Sequence, residues 1–249
     1  MKTLLLILLL GFALAALYVL YLRREGRRRR AQGKLYEPLA DRFGLTLVTL
    51  KNPAGLYMWP ELGGVYRGRE VIVRGGVEFD PRLGEYDRLF RKLGGASGAR
   101  LRSVPRGEFT YIKVKCANPS GLSFYITYDL SGPKGGTEFE RRFRVKFGEG
   151  GELQGPMIVG EAIRRELLAT VTAGRSHPFE KLALVGDGLL YIETGRIKTV
   201  GQAERFARMI DRLCDAADNV DSAPRPMLGV ESPLVGFSSF TQERQPDRT

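Results

Sequence analysis

The chain has 249 residues, 43% of them hydrophobic, and a formal net charge of +11. This length accommodates one large domain or two small ones, and the composition supplies enough apolar residues for a core. Residues 23–30 contribute +5 of the charge, so the excess is concentrated and the rest of the chain is only mildly basic. We therefore expect no nucleic acid partner.

The chain has two cysteines and one histidine, which exclude a disulfide framework and make a poor metal-binding set. Cys116 alternates with Ile112 and Val114 in an extended run, and Cys214 falls on the apolar stripe of a predicted helix. We interpret both thiols as small core residues, and His177 as a surface-loop residue. No metal or other cofactor is predicted.

Residues 3–22 form a run of twenty uncharged, leucine-rich positions. As an α-helix this run is about 30 Å long, which is the thickness of the hydrocarbon core of a bilayer. The alternative is a cleaved signal peptide, since Ala13 and Ala15 provide an A-x-A site. Cleavage there would leave an apolar N-terminus, and the run is longer than the usual core of a signal peptide. We favour an uncleaved single-pass transmembrane anchor over residues 1–22.

Six arginines follow the run and set its predicted orientation: Arg23, Arg24, Arg27, Arg28, Arg29 and Arg30. The positive-inside rule places this end, and the chain after it, in the cytoplasm, with the N-terminus outside. The same arginines are candidates for binding anionic lipid headgroups, at roughly 1 kcal/mol each near the membrane surface.

A basic juxtamembrane linker is expected at 23–33, followed by a helix at 35–43. Alternation and glycine turns then predict strands at residues 45–50, 64–73 (two strands around a turn), 108–116, 122–128 and 142–147. A short helix is predicted at 86–93. The second half predicts a helix, a hairpin around Gly186–Gly188 and a last helix, at residues 161–171, 182–192 and 202–217.

This order predicts an α+β fold, in which a single N-terminal transmembrane helix precedes a largely antiparallel-sheet domain with packed helices. The domain is expected to cover residues 34–220, with 34–148 and 152–220 as an optional division into halves. Residues 221–249 are expected to form an extended tail.

A basic sheet face is the pattern least expected by chance, and five residues of two predicted strands form it: Lys113, Lys115, Arg142, Arg144 and Lys146. If the strands are neighbours, alternation gathers these side chains into one patch with Tyr111, Arg67 and Arg69. A solvated surface explains the pattern without any function. The functional interpretation is an anionic partner, either the lipid surface or an acidic protein.

The tail combines polar and apolar signals. Prolines at positions 224, 226 and 233 interrupt any helix, so disorder is the default expectation. Its large apolar residues nevertheless favour docking on a surface, and Phe237 and Phe240 are the candidate partner-binding residues.

Three segments carry a resemblance to a known family: residues 39–45 (LADRFGL), 64–71 (GVYRGREV) and 139–145 (FERRFRV). They resemble motifs of a family of uncharacterised bacterial membrane-anchored proteins, over roughly residues 35–218. Glu140 stands where the family pattern usually has aspartate, and the resemblance implies no activity. Residues 21–25 (YLRRE) are similar to the segment just inside the membrane helix of the photosynthetic reaction centre H subunit, whose soluble domain has no counterpart here.

The sequence contains no phosphate-binding loop, zinc-protease motif, serine-hydrolase elbow or paired CxxC motif, and no catalytic residue is assigned. We expect a non-enzymatic scaffold or accessory subunit of a larger membrane complex in the bacterial inner membrane. Its expected partners are other membrane protein subunits and anionic lipid headgroups. The alternative is an enzyme that acts on a lipid or other anionic substrate, which a pocket of carboxylates with shifted pKa values would favour.

Overall fold

The structure is a computed structural model that describes residues 2–48, 60–77, 108–129, 136–148, 158–172 and 178–224, with side chains of the first helix from Leu9 onward. The predicted helix at 86–93, His177, and the tail residues Phe237 and Phe240 lie outside these ranges. The helices and strands are, in chain order, α1 (Lys2–Phe43), β1 (Thr46–Val48), β2 (Glu61–Tyr66), β3 (Arg69–Val77), β4 (Glu108–Lys115), β5 (Phe124–Tyr128), α2 (Glu138–Arg142), β6 (Phe143–Phe147), α3 (Glu161–Thr172), β7 (Phe179–Val185), β8 (Gly188–Thr194) and α4 (Val200–Ser222).

The eight strands of the described residues form one sheet in the order β1-β2-β3-β4-β8-β7-β5-β6. Every neighbouring pair is antiparallel, so the predicted α+β class with an antiparallel sheet is confirmed. The hairpin predicted around Gly186–Gly188 joins β7 to β8, and Gly186 has a φ of +59°, which glycine adopts without strain.

The helices pack on one side of the sheet, where they share the main core with inward-facing strand residues. This core unites residues of α1, α3 and α4 with strand residues such as Val71, Ile112 and Leu184. Residues that alternate with these form a smaller cluster on the opposite side, among them Phe109, Tyr111 and Tyr125. Both sides of the central strands are therefore buried.

The first helix is longer than the sequence predicts. The expected linker at 23–33 is helical, and the predicted helix at 35–43 is the last part of one unbroken 42-residue helix. Arginine is a good helix former, and residues 23–33 contain no proline to interrupt the backbone hydrogen bonds. The helix ends at Phe43, and the next residue, Gly44, has a φ of +63° that is typical of a C-terminal cap. Across the described residues, no helix meets the combined length and apolarity needed to span a bilayer.

Two of the other described helices, α4 and α2, begin with capping boxes. Thr199 and Gln202 cap α4, which contains the predicted helix at 202–217 and extends it at both ends. Thr137 and Glu140 cap the short helix α2, which the sequence did not indicate.

Candidate functional site

The N-terminal part of α1 presents its apolar side chains to solvent. Nine large hydrophobic residues between Leu9 and Tyr21 are 47–76% exposed. A contiguous apolar surface of this kind marks a site of contact with a membrane or another protein. We call residues 9–22 the apolar arm.

The C-terminal part of α1 is seated in the domain. Gln32, Tyr36, Leu39 and Phe43 are all buried, and their spacing of four, three and four residues puts them on one side of the helix. Burial raises the pKa of Tyr36 to about 12, against the opposing effects of a hydrogen bond with Thr110 and the charge of Arg196. The arm and the part of α1 that is buried in the domain thus belong to one continuous helix.

An open cleft of about 260 Å³ borders α1 where the arm ends. The described residues that line it are Tyr21, Arg24, Glu25 and Arg28, which we call the basal cleft residues. Glu25 lies 3.8 Å from a guanidinium nitrogen of Arg28 and 3.8 Å from one of Arg196, whose side chain is only 6% exposed. Arg196 also pairs with Glu108.

The predicted lipid-binding arginines lie on α1 beside this cleft. Five of the six are exposed: Arg23, Arg24, Arg27, Arg28 and Arg30. The side chain of Arg29 is not among the described ones. Lipid binding by these arginines stays a prediction. Because residues 23–30 are helical, the arginines lie on different sides of α1.

The predicted basic sheet face is not one contiguous patch. Three strands, β8, β7 and β5, separate β4 with its two lysines from β6, a distance of about 19 Å at the usual strand spacing. Arg142 ends α2 rather than belonging to the strand. The condition for a single patch, that the two strands are neighbours, is therefore not met, because β6 pairs with β5 at one edge of the described sheet.

Four residues of that predicted patch interact with local partners instead. Lys115 lies 4.0 Å from Glu70, and three others are engaged at the far edge: Arg142 with Glu138 (2.9 Å), Arg144 with Asp129 (3.2 Å) and Lys146 over the ring of Tyr125 (5.8 Å). Lys113 is half-buried on β4. Binding of an anionic partner by these residues stays a prediction for separate sites.

Arg67 and Arg69 bind aspartates of α4 instead of joining a basic patch. Arg67 pairs with Asp215 (2.6 Å) and Asp218 (2.7 Å), and Arg69 pairs with Asp218 (2.7 Å) and Asp221 (2.6 Å). Four aspartates of α4 therefore hold this helix against the β2–β3 hairpin, and we call them the aspartate row: Asp211, Asp215, Asp218 and Asp221. The sequence signal was available, since aspartates three or four positions apart share one side of a helix.

The carboxylate of Asp221 has three hydrogen-bonding partners, more than that of any other aspartate of the row. Besides Arg69, it accepts hydrogen bonds from the backbone N–H groups of Ala117 (2.7 Å) and Asn118 (3.1 Å). Burial alone would raise the pKa of Asp221, but the hydrogen bonds from Arg69 and the two backbone groups outweigh it and hold the pKa below its usual 3.8.

Replacing Asp221 with asparagine is expected to lower the free energy of unfolding at pH 7 by about 1.5–3 kcal/mol, because a charge-assisted pair is lost. The depressed pKa makes the carboxylate's contribution complete above pH 4, and it is lost as the pH falls further, so the variant and the wild type should converge in acid. Urea denaturation at pH 7 and pH 3 measures both effects. Asp187→Asn, in the exposed β7–β8 turn, is the control, and an equal loss in both variants contradicts the expectation.

A buried polar network lies beneath α4. Glu193, 2% exposed, accepts hydrogen bonds from the guanidinium of Arg205 on both carboxylate oxygens, at 2.9 and 2.6 Å. The hydroxyl of Tyr191 donates to the same carboxylate, and burial followed by the charge of Glu193 places the pKa of Tyr191 well above its usual value. This arrangement joins a helix to a central strand and borders no described cleft.

Neither cysteine has the environment of a reactive thiol. Both are buried, as the sequence predicts, and burial raises the pKa of Cys116 to about 12 and that of Cys214 to about 11. Among the described residues, no three His, Cys, Asp or Glu side chains are grouped to hold a metal ion.

No protein-family model and no curated protein matches the chain. Among solved structures, the crystal structure of the mycobacterial trehalose monomycolate transport factor A, TtfA, is similar, with 10% sequence identity and a TM-score of 0.46 over 79% of this chain and 100% of that chain. Values of this size do not establish a shared fold. The resemblances stated from the sequence stay predictions.

Proposed function

We propose that the chain is a single-pass, membrane-anchored, non-enzymatic scaffold or accessory subunit, with its domain at the cytoplasmic surface of the bacterial inner membrane. The observation that carries this proposal is the exposed apolar arm on a helix that continues without a break into the core. Each large side chain that stays in water forgoes about 1.5–3 kcal/mol of burial energy, so nine of them need a nonpolar surrounding.

The charge pattern and the length of the uncharged run at residues 3–22, about 30 Å as a helix, support a bilayer as that surrounding. The sequence has no charged residue between Thr3 and Leu22, and arginines begin directly afterwards, as expected for an anchor whose C-terminal end faces the cytoplasm. Gln32, the first buried residue of the seat, lies about 15 Å along the helix axis from Leu22. The domain would therefore stand just clear of the lipid headgroups, where other membrane subunits and anionic lipids are within reach.

The proposal is tested by placing charges in the apolar arm of the full chain. Leu10→Arg with Leu14→Arg is expected to abolish alkali-resistant membrane association, because an arginine near the centre of a membrane helix costs about 2.5–3.5 kcal/mol. The matched control is Val65→Arg with Val200→Arg, since both valines are exposed on the domain. Release of wild-type chain by alkaline carbonate, or equal membrane association of both double variants, refutes the anchor.

Topology and partnership need separate measurements. Protease added to right-side-out vesicles is expected to spare the domain, and digestion of the domain there would refute the cytoplasmic orientation.

Isolation of the full chain in mild detergent, followed by mass spectrometry, is expected to recover membrane proteins in stoichiometric amounts. A chain that elutes alone at the mass of a monomer contradicts the role as a subunit.

A further inference from the structure

The basal cleft concentrates positive charge at one depth along α1. Its lining residues are Tyr21, Arg24, Glu25 and Arg28, and their spacing of three, one and three positions puts them on one side of the helix. Arg24 makes no ion pair within the part of the chain that the structure describes, and 54% of the Arg28 side chain is exposed. Both guanidinium groups can therefore reach a ligand in the cleft.

The one acidic residue among the described lining of the cleft is already paired with two arginines. Glu25 lies between Arg28 and the buried Arg196, each 3.8 Å away. Burial lowers the pKa of Arg196; Glu108 opposes this, and the charge of Arg28 adds to the lowering. An anion in the cleft would relieve the mutual repulsion of these arginines, whereas a cation would add to it.

We propose that the basal cleft binds a phosphate group, with Arg24 and Arg28 as its ligands. Guanidinium groups recognise phosphate through paired N–H donors, and two of them one helical turn apart can hold neighbouring oxygens. Tyr21, the N-terminal residue of the described lining, carries a hydroxyl that can serve as a further donor. The phosphate is that of a lipid headgroup or a free ion.

The depth of the cleft favours the lipid headgroup, and this part of the argument rests on the membrane anchor proposed above. If residues 3–22 span the hydrocarbon core, Tyr21 lies at its boundary and Arg28 about 10 Å further along the helix. The headgroup layer of a bilayer extends about 5–8 Å beyond the hydrocarbon. It therefore covers Arg24, about 4.5 Å beyond Tyr21, and ends close to Arg28. The cleft is then level with lipid phosphates.

The test uses the full chain in mild detergent and native mass spectrometry, with phosphatidylglycerol, phosphate-free diacylglycerol or inorganic phosphate added. Wild-type chain is expected to retain phosphatidylglycerol in preference to diacylglycerol. Arg24→Gln with Arg28→Gln is expected to reduce retention at least about tenfold. The matched control is Arg23→Gln with Arg27→Gln, which removes the same charge at the same spacing from another side of α1.

The outcomes separate the two sources of phosphate and the two proposals. Displacement of the lipid by millimolar inorganic phosphate supports the site and identifies a free ion as a ligand, whereas retention without displacement identifies the lipid. Equal loss in both double variants, or loss in neither, overturns the cleft as a phosphate site. Flotation of the chain with vesicles of phosphatidylcholine tests the membrane anchor independently, because insertion into these vesicles requires the apolar arm and not the two arginines.

Discussion

Replacing Arg205 with methionine is expected to lower the free energy of unfolding by about 3–5 kcal/mol, because it leaves a buried carboxylate without its counter-ion. Glu193 accepts two hydrogen bonds from Arg205, and its side chain is 3% exposed. Methionine keeps most of the length of the side chain and the helix propensity. The loss therefore reports the charge rather than a cavity.

Urea denaturation of the full chain in mild detergent, followed by circular dichroism, measures this loss. Arg212→Met provides the control on the same helix, since the pair of Arg212 with Asp215 is 3.4 Å long and both side chains are over 40% exposed. An exposed pair of this kind contributes less than about 1 kcal/mol. A similar loss in both variants would show that Glu193 is not dependent on Arg205.

Phe43→Ala is expected to destabilise the domain by about 3–5 kcal/mol through the lost burial and the cavity that it leaves. Phe43 is 3% exposed and packs edge-on against Tyr66, with ring centroids 4.8 Å apart. This contact joins the end of α1 to the β2–β3 hairpin, so its loss should also loosen the seat of α1.

The same helix supplies a matched substitution. Phe12 is 76% exposed in the apolar arm, and Phe12→Ala is expected to leave the unfolding transition of the domain within about 0.5 kcal/mol of wild type. Thermal denaturation of both variants in mild detergent compares them directly. An effect of Phe12→Ala as large as that of Phe43→Ala would mean that the arm packs on the domain.

Local patterns predicted most of the described elements. The Gly186–Gly188 turn, the apolar stripe at 202–217 and the alternation at 108–116 each contain enough signal to define a hairpin, a helix and a strand, and all three are present. The short helix α2 was missed because its five residues, Glu138–Arg142, are too few to show a helical period, and the Thr137–Glu140 capping box was its one local signal.

Long-range order could not be predicted in the same way. The residues of β4 and β6 do not indicate that three strands lie between these two strands, because strand order depends on connections and packing across the whole sheet. The basic face required the two strands to be neighbours, a condition that alternation within each strand does not test. The partners of Arg67 and Arg69 are almost 150 positions away, so two basic residues that look available in sequence are engaged in the fold.

The helical structure of residues 23–33 was not predicted for a different reason. Arginines and glycines at residues 23–33 are typical of linkers by composition, yet α1 runs through them because the helix is held at its seated end by Tyr36, Leu39 and Phe43. The basal cleft exists only because this stretch is ordered. A flexible linker would not hold Arg24 and Arg28 on one side.

Because α1 is continuous, the number of residues in it also determines how the domain is rotated about the axis of this helix. Each helical residue turns the chain by about 100° and advances it by about 1.5 Å. One residue added between 23 and 31 would swing the sheet through more than a quarter of a turn, so a different side would face any neighbour in the membrane. Seven added residues would return it to within about 20° and raise it by about 10 Å. The stretch can thus change in composition with little geometric effect, whereas a change in its length re-aims the whole domain.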